Sequence, residues 1–312
     1  MEENKTYTTI EGLNRIASQK YFELLKDNKL NEIVANIGKF PDLALVNNVL
    51  VLDQMPEATK IYSKEEWEFK GRDLIESPKF INKISHCLYK LDQGNTDSKG
   101  TLYVRGIDKL SSRLGTVYDI SQTIGKEMPQ EIDIELIAKY FDQTKQSLEH
   151  TAKNYKIVYD DIDKKSVLDK DSKTITVQNG MSLNEVITEL IDKVSTVLLD
   201  SRKQEGITSE QNKKIKDIEH DMAVYAIHTR YNLDLPEVDF KEVANFSEEE
   251  MKAFKDNLQK VRSVVYQLTH NLENSIEFKM KGLDKKQEKT EQKQNSGYKS
   301  NTKSMQDENE VF

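Results

Sequence analysis

Residues 173–200, which read KTITVQNGMSLNEVITELIDKVSTVLLD, constrain the fold of this chain more than any other stretch. The first five residues alternate between polar and apolar, an NG pair follows, and apolar residues then recur every three or four positions. A strand, a turn and a helix produce these periods. Ser182 and Glu185 form the S-x-x-E pattern of a capping box at the helix start. The predicted apolar stripe of this helix consists of Leu183, Val186, Ile187, Leu190, Ile191, Val194, Val197 and Leu198.

This helix resembles the metal-binding helix of zinc metallopeptidases, but the zinc ligands are replaced. Such enzymes carry two histidines at i and i+4, with a glutamate after the first that accepts a proton from metal-bound water. Here the HExxH pattern reads TELID, so Thr188 and Asp192 occupy the histidine positions and Glu189 keeps the glutamate position. A hydroxyl and a carboxylate do not replace two imidazoles for Zn²⁺. We expect a pseudoenzyme without metal or other cofactor; the alternative is an ordinary amphipathic helix.

The composition excludes several classes of protein. Charged residues make up 32% of the chain and hydrophobic residues 36%, as in soluble, helix-rich proteins. The first residues contain no continuous apolar run, and no later segment approaches the ~20 apolar residues of a membrane span. The single Cys87 excludes an internal disulfide and a zinc finger. We therefore expect a cytoplasmic protein with no membrane partner.

The net charge of −8 is unevenly distributed along the chain. Residues 1–130 hold 18 basic and 19 acidic residues, whereas residues 131–282 hold 22 basic and 29 acidic residues. A nucleic acid is repelled by an acidic surface and attracted by a local basic one. A DNA partner is therefore expected to contact the near-neutral N-terminal third.

Changes in pattern divide the chain into four predicted regions of an α+β protein. Residues 1–125 form a small α/β domain with a hairpin between residues 88–91 and 101–104. Residues 126–240 form a mostly helical, peptidase-like domain with a second hairpin over residues 167–177. A long helix follows over residues 241–282, and residues 283–312 have few apolar residues and are expected to be disordered.

The long helix has a predicted start, end and packing seam. Ser247 and Glu250 form a second capping box, and Gly282 marks the expected end. The seam has spacings of three and four residues, which favours packing within the chain and leaves self-association as an alternative. Its residues are Met251, Phe254, Leu258, Val261, Val265, Leu268 and Leu272.

A cluster of aromatic and basic residues in the N-terminal third is the candidate nucleic-acid site. Aromatic faces stack on bases and cations bind phosphates in single-strand-binding proteins, at about 1–3 kcal/mol per stacked base. Tyr103 and Arg105, two residues apart on a predicted strand, would extend the same surface. The alternative is that Trp67 and Phe69 belong to the core of a small domain. The cluster consists of Tyr62, Trp67, Phe69, Lys70 and Arg72.

Several segments together resemble the antirestriction proteins of the ArdC type and the related LtrC-like proteins of conjugative elements. The N-terminal match comprises Asn47-Asn48, Leu50, Leu52, Gln54, Pro56, Ala58-Thr59, Trp67 and Gly71-Arg72. The segment YDISQT at residues 118–123 is similar to the FDxSQT segment that joins the two domains of that family. Asp217 or Glu219 occupies the position of its third, acidic metal ligand. The resemblance covers residues 5–240 and implies a single-stranded-DNA-binding domain followed by a metallopeptidase-like domain.

These observations predict a non-catalytic, single-stranded-DNA-binding protein of a mobile genetic element, of the antirestriction or conjugation-accessory type. The expected partner is single-stranded DNA. The alternative function is a pseudo-peptidase interaction module that binds a host defence or restriction protein. Oligomeric state and stage of action are left open by the sequence.

Overall fold

The computed structural model describes residues 9–89, 95–96, 102–103, 109–202, 206–208 and 214–306. It divides into two compact units, each built from two segments of the chain. The first unit comprises Met1–Glu131 and Ser195–Tyr266, and the second comprises Ile132–Val194 and Gln267–Phe312. The two later boundaries, after Val194 and after Tyr266, fall within long helices. The sequence-based division at 125/126 and 240/241 stays a prediction.

The described residues contain both helices and strands, so the predicted α+β class is confirmed. The helices are α1 (Ile10–Lys26), α2 (Leu30–Lys39), α3 (Leu45–Gln54), α4 (Lys64–Phe69), α5 (Ile134–Lys139), α6 (Phe141–Thr151), α7 (Leu183–Asp200), α8 (Ile215–Tyr231), α9 (Lys241–Ala244) and α10 (Glu248–Gln306), with a short 3-10 helix at Ile120–Gln122. The strands are β1 (Ile61–Tyr62), β2 (Arg72–Leu74), β3 (Ile81–Tyr89), β4 (Asn95–Thr96), β5 (Leu102–Tyr103), β6 (Lys109–Asp119), β7 (Thr123–Gly125), β8 (Lys156–Asp160), β9 (Ser166–Asp169) and β10 (Thr174–Gln178).

The first unit packs helices around one end of a long two-stranded ribbon. Strands β3 and β6 are antiparallel over their full length, and β1 adds to β6 to give the order β1-β6-β3. Helices α2 and α8 approach closely at Gly38, where an added Cβ would lie 2.1 Å from the carbonyl oxygen of Ala226. Gly38 does not end α2, since the helix continues to Lys39. Its lack of a side chain serves helix packing instead.

Two amide side chains of α3 fix the position of β3. Asn47 accepts a hydrogen bond from the Ile84 N–H at 2.9 Å and donates to the Ile84 carbonyl at 2.8 Å. Gln54 makes the same two-point contact with the backbone of Asn82, at 2.8 and 3.0 Å. These amides satisfy backbone groups that β6 does not reach, so α3 substitutes for a further strand beside the ribbon.

The second unit contains the predicted strand, turn and helix. Strand β10 lies between β8, which is parallel to it, and β9, which is antiparallel. The β9–β10 pairing confirms the hairpin predicted over residues 167–177. The capping box at the start of α7 is present, because the Ser182 N–H donates to Glu185 at 3.0 Å and the Glu185 N–H donates to the Ser182 hydroxyl at 3.4 Å. The predicted apolar stripe of α7 is buried except at Leu183.

Two predicted elements differ from the structure. Leu88 pairs with Leu110 rather than with residues 101–104, and β5 pairs with β4 instead. The pairing of β3 with β6 was not predicted, because polar residues interrupt the apolar pattern of both strands and nineteen residues separate them. Helix α10 does not end at Gly282 but continues to Gln306, through the segment predicted to be disordered. Lys, Glu and Gln are the commonest residues of that segment and favour helix, and Gly282 and Gly297 each cost only about 1 kcal/mol.

The long helix otherwise follows its prediction. The Ser247 N–H donates to Glu250 at 2.8 Å and the Glu250 N–H donates to the Ser247 hydroxyl at 3.2 Å, which completes the second capping box. All seven residues of the predicted seam are buried within the chain. Among the helices in the described ranges, none combines the length and the apolar character needed to cross a membrane.

Candidate nucleic-acid interface and peptidase-like helix

Trp67 lies in the core of the first unit and is unavailable for stacking on a base. Its side chain is 0% exposed, and its indole N–H donates to the Tyr118 carbonyl at 2.9 Å. Tyr62 packs edge-on against the ring, with 4.9 Å between the ring centroids. The structure therefore places Trp67 in the core, the alternative that the sequence left open, because the Tyr118 carbonyl satisfies its polar group there.

Arg72 holds two strands together. Its Nε donates to the Thr123 hydroxyl at 2.8 Å, its Nη2 donates to the Thr123 carbonyl at 3.1 Å, and its Nη1 donates to the Lys126 carbonyl. These contacts link β2 to β7, which pairs with it. All three guanidinium nitrogens are thus engaged in the fold, which explains a glycine and an arginine at this point without reference to DNA. Gly71 adopts a φ of +76° and lies beneath the Lys126 side chain.

Phe69 and Lys70 are the accessible members of the predicted cluster. Phe69, the last residue of α4, is 92% exposed. The Lys70 amine lies 4.4 Å from the centroid of the Tyr62 ring, a cation–π distance. Tyr62 is half-buried, and burial raises the pKa of its phenol. Tyr103 lies in β5, and Arg105 is outside the described residues, so their common face stays a prediction.

The YDISQT segment makes several hydrogen bonds to other parts of the first unit. One Asp119 oxygen accepts from the Thr59 and Lys60 N–H groups at 2.8 and 3.0 Å, and the other accepts from the Ser121 N–H at 2.9 Å. Burial alone would raise the pKa of Asp119, but these hydrogen bonds lower it overall. Gln122 accepts from the Lys79 N–H at 2.9 Å. The motif therefore joins the ribbon to two preceding loops.

One face of the β3–β6 ribbon is a basic surface that the sequence analysis missed. Register pairs Lys83 with Gly115 and Ser85 with Arg113, and alternation places all four positions on one face. The geometry at Gly115 agrees, because an added Cβ would lie 3.0 Å from the Ser85 hydroxyl and 3.7 Å from Lys83 Cγ. We call the row of Lys83, Ser85, Arg113 and Gly115 the ribbon face.

The two segments that form the ribbon face carry basic residues and no acidic ones. Strand β3 and residues 109–118 of β6 contain three Lys or Arg and no Asp or Glu. The row begins in the core at Ile81 and Val117, which pair with each other, and emerges from it toward Arg113. The sequence does show two nearby segments without acidic residues, which could have indicated a basic surface. Only the pairing of these segments in the structure brings them together as one surface.

The polar side chains at the HExxH positions of helix α7 have hydrogen-bond or ion-pair partners within the protein. The Ser166 hydroxyl, on β9, donates to the Glu189 carboxylate. Asp192 pairs with Lys193 at 2.6 Å, and the Thr188 hydroxyl donates to the Asn184 carbonyl at 2.9 Å. The residues at the HExxH positions are therefore a hydroxyl and two carboxylates with partners in the protein. This set of donors does not fit a catalytic zinc ion, which binds imidazole or thiolate in such helices.

Glu219, one of the two candidates for the third, acidic ligand position, forms a buried ion pair. Glu219 is 1% exposed, and its carboxylate accepts from the Lys260 amine at 2.7 Å and from the Asn257 amide at 2.8 Å. Asn257 also exchanges two hydrogen bonds with the backbone of Ile207, at 2.8 and 3.1 Å. Asp217, the other candidate, is exposed. Within the described ranges, no three His, Cys, Asp or Glu side chains are grouped as metal ligands.

These features define an α+β protein with basic residues along a two-stranded β-ribbon in its first unit and a strand, turn and helix in its second. No family model matches the chain, and no curated protein matches it. Among solved structures, it is similar to two crystal structures of the antirestriction ArdC protein from R388 plasmid. The metal-free structure has a TM-score of 0.38 and 11% identity, over 73% of this chain and 85% of that chain. The Mn(II)-bound structure has a TM-score of 0.43 and 10% identity, over 85% and 97%. These distant likenesses assign no activity to this chain.

Proposed function

We propose that this chain is a non-catalytic, single-stranded-DNA-binding protein that contacts DNA through the ribbon face. The observation that carries the proposal is the placement of Lys83 and Arg113 on one face of two paired segments, residues 81–89 and 109–118, that contain no acidic residue. The sequence resemblance to ArdC-type and LtrC-like proteins supports a role in a mobile genetic element, of the antirestriction or conjugation-accessory type. The cytoplasm is the compartment in which such a protein meets incoming DNA.

The chemistry of the ribbon face suits a phosphodiester backbone. Lys83 and Arg113 supply cationic donors, and the Ser85 hydroxyl adds a neutral donor between them. Gly115 has no side chain, so a backbone phosphate can approach the strand closely there. Phosphate contacts of this kind are independent of sequence and depend strongly on salt, because binding releases counterions. The proposed binding is therefore electrostatic and without marked base preference.

Removing both cations of the ribbon face is expected to weaken DNA binding by about tenfold or more at low salt. Two lost phosphate contacts should also reduce the slope of log affinity against log salt by about 1.4 for single strands. The measurement is fluorescence anisotropy of a labelled oligonucleotide with the double variant Lys83→Ala and Arg113→Ala. The double variant Arg15→Ala and Lys216→Ala is the matched control, since it removes one Arg and one Lys from exposed sites elsewhere. Equal losses in both double variants, or no binding by the unmodified protein, would reject the proposal.

Phe69 is the one aromatic residue of the predicted cluster that is almost fully exposed, so it is the expected stacking residue. Substitution Phe69→Ala should lower affinity for single-stranded DNA by about tenfold, within the ~1–3 kcal/mol of a stacked base. The thermal stability of the Phe69→Ala variant should equal that of the unmodified protein, because the exposed ring makes little packing contact. Phe69→Tyr, which keeps an aromatic face, should retain binding. An unchanged affinity of Phe69→Ala would remove this residue from the interface.

The absence of catalysis is part of the same proposal. Glu189 accepts a hydrogen bond from Ser166, and Thr188 and Asp192 stand where two histidines would bind a metal. The TELID helix therefore lacks the metal ligands that would hold and activate a water molecule. A peptidase activity that Glu189→Gln abolishes would contradict this conclusion.

A further inference from the structure

The outward face of the sheet in the second unit has a well-defined set of residues. In the central strand β10, Ile175 and Val177 are buried, so Thr174, Thr176 and Gln178 point to the opposite face. The neighbouring strands follow the same alternation. We call the set of outward positions on β8, β9 and β10 the sheet face.

The centre of the sheet face is apolar. Register places Thr176 between Val158 on β8 and Val167 on β9. Val158 is 39% exposed and Val167 is 40% exposed, although both lie in regular strands. Two β-branched apolar residues and a threonine methyl in one row form a surface that gains from being covered.

The two ends of the sheet face carry opposite charges in alternating order. The row through Thr174 has Lys156 at its β8 side and Asp169 at its β9 side. The row at the other end has Asp160 on β8 and Lys165 next to β9, where the Lys165 carbonyl accepts from β10 at 2.9 Å. All four side chains are exposed, and Lys165 also lies 3.5 Å from Glu185. Lysine and aspartate thus alternate around the four corners.

We propose that the sheet face binds a second copy of this chain. When two such faces pack against each other about a two-fold axis parallel to the strands, Lys156 of one copy meets Asp169 of the other, and Asp160 meets Lys165. A two-fold axis perpendicular to the strands, in the plane of the interface, pairs Lys156 with Asp160 and Asp169 with Lys165. Both arrangements bring the apolar centres together and give aligned sheet packing. The charge pattern therefore complements itself in either orientation.

The size of the sheet face sets the strength of this association. Two strands of five residues and one of four cover about 220 Å² at the usual strand spacing and rise. A standard stable interface buries about 800 Å² per partner, so this dimer is weak and forms only at high protein concentration. Charge complementarity at its rim then determines orientation and partner choice more than affinity.

The test is sedimentation of the full chain from about 10 μM to 1 mM, a range suited to weak interfaces. The average mass is expected to rise toward that of a dimer. Val167→Lys, which places a charge in the apolar centre, and Lys156→Asp, which creates two like-charge contacts by symmetry, should each lower the association constant about tenfold. Lys252→Asp, the same charge change at an exposed site on α10, should leave it unchanged.

A second set of variants identifies the axis. Asn at position 169 keeps the side-chain oxygen that accepts from the Asp171 and Ser172 N–H groups, so Asp169→Asn preserves the turn. Added to Lys156→Asp, it restores association when the axis is parallel to the strands. Asp160→Asn added to Lys156→Asp restores association when the axis is perpendicular. Circular dichroism verifies that each variant is folded.

Three results would overturn the proposal. One is a monomeric mass over the whole concentration range, which would leave the sheet face to some other partner. Another is self-association that Val167→Lys and Lys156→Asp do not weaken, which would place the contact on another surface. The third is a loss of association in the Lys156→Asp variant that neither Asp169→Asn nor Asp160→Asn reverses, since one of the two axes must bring an aspartate opposite position 156.

Discussion

Substitution Asp119→Asn is expected to lower the free energy of unfolding by roughly 2–4 kcal/mol at neutral pH. One carboxylate oxygen accepts from two backbone N–H groups, those of Thr59 and Lys60. The amide of asparagine has one acceptor oxygen, which can keep the bond from Ser121. Its NH₂ group then faces two donors that lose their acceptor. Urea unfolding of both proteins measures the difference, with the exposed Asp73→Asn as the matched control.

The effect of Asp119→Asn is expected to shrink at low pH. Hydrogen bonds lower the pKa of Asp119 in the folded state, below the value of about 3.9 in an unfolded chain. The stabilisation by the carboxylate is therefore fully present above the unfolded pKa and is lost as the pH falls through the folded pKa. Unfolding curves from pH 7 down to pH 3 should converge for the two proteins. A constant difference across this range would contradict the role given to the charge.

The second large effect is expected at Lys260. Substitution Lys260→Met leaves the Glu219 carboxylate buried without its cation and should destabilise the protein by about 3–5 kcal/mol. The pair is separated by 2.7 Å, and the two side chains are 7% and 2% exposed, so solvent does not screen the loss. Lys252→Met, on the exposed side of the same helix, should have little effect. Denaturant unfolding gives each value.

A double substitution separates the cost of a lone buried charge from the value of the pair. Replacing both partners, Lys260→Met with Glu219→Leu, should recover most of the lost stability, because an apolar pair of similar volume avoids the desolvation of two charges. Asn257 keeps its two bonds to the Ile207 backbone in that variant. If the double variant were less stable than Lys260→Met alone, the ion pair itself would be the main stabilising contribution.

Local sequence periods determined several elements of this protein. The β9–β10 hairpin, helix α7 and both capping boxes follow from residues within a few positions of each other, so the sequence alone predicts them. The buried seam of α10 was predicted for the same reason. The end of α10 was not, because one glycine does not outweigh a following segment of good helix formers.

The candidate site depended on contacts between residues far apart in the sequence, which only the tertiary structure decided. An aromatic residue beside basic ones suits a stacking platform and a small core equally well. Trp67 is in the core because the Tyr118 carbonyl, 51 residues away, accepts its N–H. Phe69 is exposed because, among the described residues, no element covers the end of α4.

The ribbon face and the sheet face show the same division. The residues that make each face were visible in the sequence, but their common surface was not. Strand register brings Lys83 opposite Gly115 and Lys156 into one row with Asp169. Register is set by the buried apolar residues and by turn geometry rather than by the exposed side chains that it aligns. The sequence by itself determined the local elements and their polarity, because these depend on near neighbours. The tertiary structure decided which polar and aromatic groups are satisfied internally and which remain available to a partner.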